Sequence, residues 1–185
     1  MADAHPPARR ADAARNRARI MAVAREALAT SSDVSLHAVA KKAGVGQGTL
    51  YRHFPTRDDL IMAVYRQDVA ELVDAADALL DAHEPWQALT LWLDQLAAFG
   101  RVKHGATDVL QAATRNALST EHYNPVVEAI ARLLSACRDA ALVRTDVDAE
   151  ELLLLVAFLW RDDRGAEWEK RSRRMLSVVL DGLRA

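Results

Sequence analysis

A single cysteine, Cys137, stands in a chain of 185 residues. One thiol cannot close an internal disulfide, and it leaves no cysteine-rich zinc site. Seven glycines and five prolines are too few to punctuate a fold of many short strands. Hydrophobic runs are short as well. The longest, Leu152–Trp160, is far below the ~20 apolar residues that span a bilayer, so no membrane partner is expected. The first residues, MADAHPPARRADAARNRAR, contain no apolar stretch of the kind that marks a secretory signal, and a cytoplasmic location is the expectation. Paired carboxylates, a nucleophile–base spacing and a phosphate loop are all missing, so no enzyme is expected. His104 and Asp108 share an i, i+4 spacing, but two ligands do not make a metal site. No metal and no cofactor are expected.

What is present is a globular composition, 51% hydrophobic and 27% charged. The net charge of −2 conceals an asymmetry. Met1–Pro55 carries nine Lys/Arg against four Asp/Glu, and the remainder carries 15 against 22. A basic third on an acidic body places a polyanion partner at one end only.

The hydrophobic periodicity is helical throughout and predicts an all-α fold of about nine helices. Residues 1–10 read as a flexible basic arm, with Pro6-Pro7 followed by Arg9-Arg10. A helix over Ala11–Ala29 follows, with Ile20, Ala24, Ala27 and Leu28 on one face. Ser35 is placed to cap the next helix, and Gly44 to end it. A short helix starts near Gln47 and stops at Pro55. Thr56 and Asp59 have the spacing of a capping box for a fourth helix reaching about Leu80. Further helices are expected over Pro85–Val102, Thr107–Leu118, Asn124–Leu142, Glu150–Trp160 and Ala166–Leu183.

Within Leu36–Pro55 the spacing becomes informative. Ala40 is small where a second helix crosses the first. Gly44, four residues on, supplies the turn, and Leu50, six residues further, anchors the second helix beside Val39 and Val45. Those are the packing requirements of a helix-turn-helix, whose second helix enters the major groove of DNA. Gly46 and Gly48 leave room for backbone N–H groups to approach phosphates. Gln47 can read an adenine edge, and Arg52 can read guanine or grip a phosphate. Thr49, Tyr51 and His53 offer further polar groups. Tyr51 can pack in the core while its hydroxyl reaches out, His53 can simply be solvated, and Phe54 reads as core. Ser35, Lys42 and Arg57 complete the candidate set.

The run SLHAVAKKAGVGQGTLYRHFPTRDDL resembles the DNA-binding signature of the TetR family of bacterial transcriptional regulators. Ala40, Ala43, Gly44, Val45, Gly48, Tyr51, His53, Phe54 and Leu60 match its pattern in order and without gaps. Arg57 stands where the family usually has lysine, and Gly46 where many members have serine. The resemblance covers roughly Ala11–Leu72. It implies a three-helix DNA-binding domain, here 11–60, and a larger helical ligand-binding and dimerisation domain, here 61–185. It further implies a homodimer on a palindromic double-stranded DNA operator, acting as a repressor released by a small-molecule effector. The alternative, an α-helical enzyme or an interaction protein that keeps the helix-turn-helix as a scaffold, has no residues of its own in its favour.

The acidic remainder is compatible with a dimer. A helix over Leu152–Trp160 would be apolar on every face and need cover from outside its own domain. Leu152, Leu155 and Leu159, with Leu176, Val179, Leu180 and Leu183 of the last helix, are the candidate interface, as two helices of an intersubunit four-helix bundle. Trp92, Phe99, Leu110 and Tyr123 are candidates for an effector pocket, with Arg115 as an anion partner. Arg115 facing inward would suit an acid, and a purely apolar lining a lipophile. Cys137 lies among leucines and reads as a buried apolar residue.

Overall fold

The computed structural model describes residues 7–31, 33–105, 118–160 and 166–185. Among them lie eight α-helices: α1 (Pro7–Thr30), α2 (Leu36–Ala43), α3 (Gln47–His53), α4 (Arg57–Ala82), α5 (Pro85–Gly105), α6 (Leu118–Asp139), α7 (Ala149–Leu155) and α8 (Ala166–Leu183). A 3-10 turn, Ala157–Trp160, follows α7. Between the described residues the only β feature is an isolated antiparallel bridge of Val143 with Arg184, which ties the C-terminus to the loop after α6.

The helix ends follow from local chemistry. Thr56 and Asp59 form the expected capping box: the Asp59 N–H donates to Thr56 Oγ1 at 3.1 Å, and the Thr56 N–H donates to Asp59 Oδ2 at 3.0 Å. Asp148 and Glu151 repeat it at the start of α7. At the end of α2, Gly44 takes φ 65°, so that the Val45 N–H reaches the Ala40 carbonyl at 3.1 Å and the Gly44 N–H reaches Lys41 at 3.3 Å. The end of α6 has the same pattern, Leu142 to Cys137 at 2.9 Å and Ala141 to Arg138 at 2.8 Å, but the left-handed residue is Ala141, with φ 53°.

Several boundaries differ from expectation. The first helix already starts at Pro7, within the stretch expected to be an arm; proline is favoured at a first helical position because no hydrogen bond is asked of its nitrogen. Asn124-Pro125 does not start α6. Pro125 sits inside it, where it costs one backbone bond without ending the helix. The apolar run Leu152–Trp160 is not one helix, because α7 ends at Leu155 and the chain tightens into the 3-10 turn. The expected helix over Thr107–Leu118 lies outside the described residues, except for Leu118 itself, which opens α6.

Two hydrophobic clusters share α4. The smaller gathers Ile20, Met21, Ala24 and Leu28 of α1, Val34, Val39, Ala40 and Ala43, Leu50 of α3, Phe54, and Leu60, Ile61 and Val64 of α4. The larger gathers Val69, Leu72 and Ala76 of α4 with α5, α6, α7, Val156, Leu159, and Leu176 and Leu183 of α8. Tyr65 packs against both. Beside this seam Arg25 of α1 pairs with Asp68 and lies 3.0 Å from Glu71, both on α4. Asp68 is almost fully buried and one carboxylate oxygen lacks a partner. Burial pushes its pKa up to about 6, against the pull of Arg25.

Candidate nucleic-acid interface

Position 50 decides how α3 is presented. Leu50 is fully buried and, with Phe54 just past the helix end, fastens α3 to the small core. The Arg17 guanidinium covers the Phe54 ring at 5.3 Å from its centroid. With that face turned in, Gln47, Gly48, Tyr51 and Arg52 share the outward face and are exposed, while Thr49 and His53 are half-buried at its margins. Tyr51 is 49% exposed, which settles its ring as a surface feature. A β-carbon added at Gly46 or Gly48 would meet nothing within 4 Å. The two glycines therefore serve no packing need within the chain and leave the backbone at the start of α3 open to an approaching group.

The basic side chains are held rather than loose. Arg52 folds back on its own helix, with Nε donating to the Gly48 carbonyl at 3.0 Å and a terminal nitrogen to Thr49 Oγ1 at 3.2 Å. Lys42 lies 2.7 Å from Glu26 of α1. The hydrogen bond and charge of Lys42 lower the pKa of that carboxyl. Arg57 is half-buried, and its Nε donates to the Val34 carbonyl at 3.2 Å, so it braces the loop before α2 against the start of α4. Ser35 occupies the N-cap position of α2 in extended geometry and is exposed, but its hydroxyl makes no cap hydrogen bond, contrary to the expectation; its carbonyl still accepts the Val39 N–H at 3.0 Å. Gln47 touches His37 of α2, a neighbour absent from the sequence-derived set. A ten-residue separation across a turn carries no local signal, and only the packing of α3 on α2 brings the two together.

The effector candidates do not come together in the same way. Trp92 is fully buried, and its indole N–H donates to the Leu72 carbonyl at 2.7 Å. It packs in the core with its polar group satisfied. Phe99 is half-buried, its ring 5.6 Å from that of Tyr65. Leu110, Arg115 and the side chain of Tyr123 lie outside the described residues, as do Asp108 and the side chain of His104. Among the described residues, no three His, Cys, Asp or Glu side chains are grouped to hold a metal. Cys137 is buried, and burial pushes its thiol up to about 11.

The interface candidates divide. Leu152, Leu159, Leu176 and Leu183 are buried within the single chain, so they are corrected to intramolecular core. Leu155 is 52% exposed, and Val179 and Leu180 are half-buried. Leu154 of α7, 68% exposed, and Val178 of α8, 70% exposed, lie outside the named candidates, and Met175, part of the apolar stripe of α8, is 37% exposed. Apolar character alone did not separate these from their buried neighbours. No helix among the described residues is long and apolar enough to cross a membrane.

Comparison with known proteins agrees with this geometry. Residues 20–64 match the model of bacterial regulatory proteins of the tetR family. Residues 84–185 match that of the SbtR-like transcriptional regulator C-terminal domain. A TetR transcriptional regulator from Streptomyces coelicolor is similar in structure, with a TM-score of 0.79 and 32% identity over 91% of this chain and 98% of that one. A TetR regulatory protein from Mycobacterium vanbaalenii gives 0.76 and 34% over 95% and 99%. An HTH-type transcriptional regulator from Staphylococcus aureus is 32% identical over 93 residues, 49% of this chain and 50% of that protein. The chain thus spans about half the length of the curated relatives it matches. With a braced, outward-facing third helix and family matches on both sides of the long fourth helix, the chain belongs to the TetR family of bacterial transcriptional regulators.

Proposed function

We propose that this chain is a cytoplasmic, homodimeric repressor that binds a palindromic double-stranded DNA operator through α3 and is released by a small-molecule effector. The observation that carries the DNA-binding half is the outward face of Gln47, Gly48, Tyr51 and Arg52 on a helix fastened by Leu50 and Phe54. Gln47 and Arg52 face base edges, and Tyr51, Thr49 and His53 flank them. Ser35, Lys42, Arg57 and the backbone at Gly46 and Gly48 take the phosphates on either side. To do so Lys42 exchanges Glu26 for a phosphate, a swap of one exposed partner for another. The DNA-binding domain ends within α4, since Ile61 and Val64 still belong to the small core.

Dimerisation is assigned to the exposed apolar residues of α7 and α8, Leu154, Leu155, Met175 and Val178, with Val179 and Leu180 at their edge. Two such helices from each subunit form an intersubunit bundle. The effector is assigned to the second domain, with the Phe99–Tyr65 contact at the seam as its route to the first.

The test is selection of duplexes from a random pool, followed by a screen for small molecules that release the bound duplex. A palindromic consensus and a releasing compound are the expected results. Lys42→Ala should weaken binding to every sequence alike and make the salt dependence shallower by about one counterion. Recovery of no consensus, or turnover of a substrate without duplex binding, would remove the proposal.

A further inference from the structure

Gln47 is not a free arm on the outward edge. Its amide Nε2 meets Nδ1 of His37, the second residue of α2, and both side chains are exposed. The contact therefore lies on the surface that the proposed function turns toward DNA. It joins the reading helix to the helix that braces it.

The chemistry of the pair is restrictive. A primary amide has two N–H donors on one side and a carbonyl acceptor on the other. With the imidazole hydrogen on Nε2 of the ring, Nδ1 accepts, and the Gln47 amide must offer it an N–H. One N–H and Oε1 then remain for a base. That donor–acceptor pair matches N7 and the N6 amino group of adenine. In the opposite arrangement Nδ1–H donates to one lone pair of Oε1, and both N–H groups of Gln47 stay free. Those suit the two acceptors of guanine, N7 and O6. The role of Nδ1 thus decides whether the amide keeps one or both of its N–H groups for a base.

Resting on the DNA-binding reading above, we infer that His37 is a positioning residue for Gln47: its Nδ1 takes one amide N–H and so fixes a preference for adenine over guanine at the base that Gln47 reads. His37 need not touch DNA to do this. The expected consequence is confined to one base pair of each half-site, the one that Gln47 reads.

The experiment measures affinities of the full chain for the selected duplex and for the duplex with adenine changed to guanine at the position that Gln47→Ala makes indifferent. His37→Ala should reduce the adenine-over-guanine ratio by about five- to tenfold, with the thermal midpoint unchanged because both side chains are exposed. His37→Asp supplies a pure acceptor. It should keep the ratio while its charge weakens binding to both duplexes alike. In a Gln47→Ala background, His37→Ala should change the ratio no further. An unaltered ratio in His37→Ala would overturn the inference and leave the DNA-binding reading standing. A ratio that still shifts in the Gln47→Ala background would make His37 a base reader itself and overturn the inference too. Failure of the unmodified chain to bind any duplex would remove both.

Discussion

The two clusters that α4 threads are made of the same aliphatic side chains, but they end differently at the surface. In the small cluster the aliphatic side chains of α2 and α3 are largely turned in, and what remains outside α3 is amide, hydroxyl, guanidinium, the Tyr51 ring and bare backbone. In the large cluster the apolar set overruns the core. Leu154 and Val178 stay mostly exposed although Leu152, Leu153 and Leu176 close by are fully packed. A surface finished in polar groups suits a hydrated, charged partner. A surface left apolar suits another protein face. The contrast supports the proposed placement of partners: nucleic acid at the first cluster and a second copy at the other.

The contrast can be broken at either end. The largest effect is expected in the small cluster, where Leu50→Ala removes the single fully buried side chain of α3. A loss of about 2–5 kcal/mol of stability is expected, read by denaturant unfolding with loss of duplex binding. At the other end, Val178→Asp should convert dimers to monomers in sedimentation. It should also weaken operator binding by roughly a hundredfold or more, because two half-sites no longer act together. Dimers that persist would place the interface elsewhere.

At the seam the prediction concerns pH. Asp68 has a folded pKa of about 6, above its ordinary value of 3.8. Between those values the folded chain holds a proton that the unfolded chain has released. The contribution of Asp68 to stability therefore falls as pH rises from about 4 to about 6. Asp68→Asn should remove that part of the pH dependence. Near neutral pH it should raise stability by something on the order of 1 kcal/mol, with Arg25 keeping Glu71 as its partner. A melting profile against pH that superimposes on that of the unmodified chain would refute the assignment. The smallest effect is expected where two helix ends differ only in their left-handed residue. Ala141→Gly should gain roughly 0.5–1 kcal/mol, and Gly44→Ala should lose about as much.

These pairs also show why one half of the molecule was legible in the sequence and the other less so. Gly44, Thr56 with Asp59, and Pro55 are each tied to one backbone geometry, so their spacing dictates where α2 ends and α4 begins. The anchor Leu50 follows from that frame. Nothing comparable marks the second half. Ala141 takes a conformation for which alanine gives no signal, and Pro125 sits inside a helix where it was expected to start one. No glycine or proline announces the end of α7. An apolar pattern identifies an apolar face, but core and partner demand the same side chains. Leu152 and Leu154 therefore differ in burial and not in chemistry. The pairs Lys42–Glu26 and Gln47–His37 form across elements, and no local pattern encodes them.

The most direct test of the α3 assignment is fluorescence anisotropy of the selected duplex from about 50 to about 200 mM salt, with the unmodified chain and with Tyr51→Ala combined with Arg52→Ala. The account predicts affinity falling steeply with salt, at about −0.9 in log–log slope per neutralised phosphate, and binding weakened at least roughly thirtyfold in the double variant. A flat salt dependence, or a double variant that binds as tightly as the unmodified chain, would contradict it.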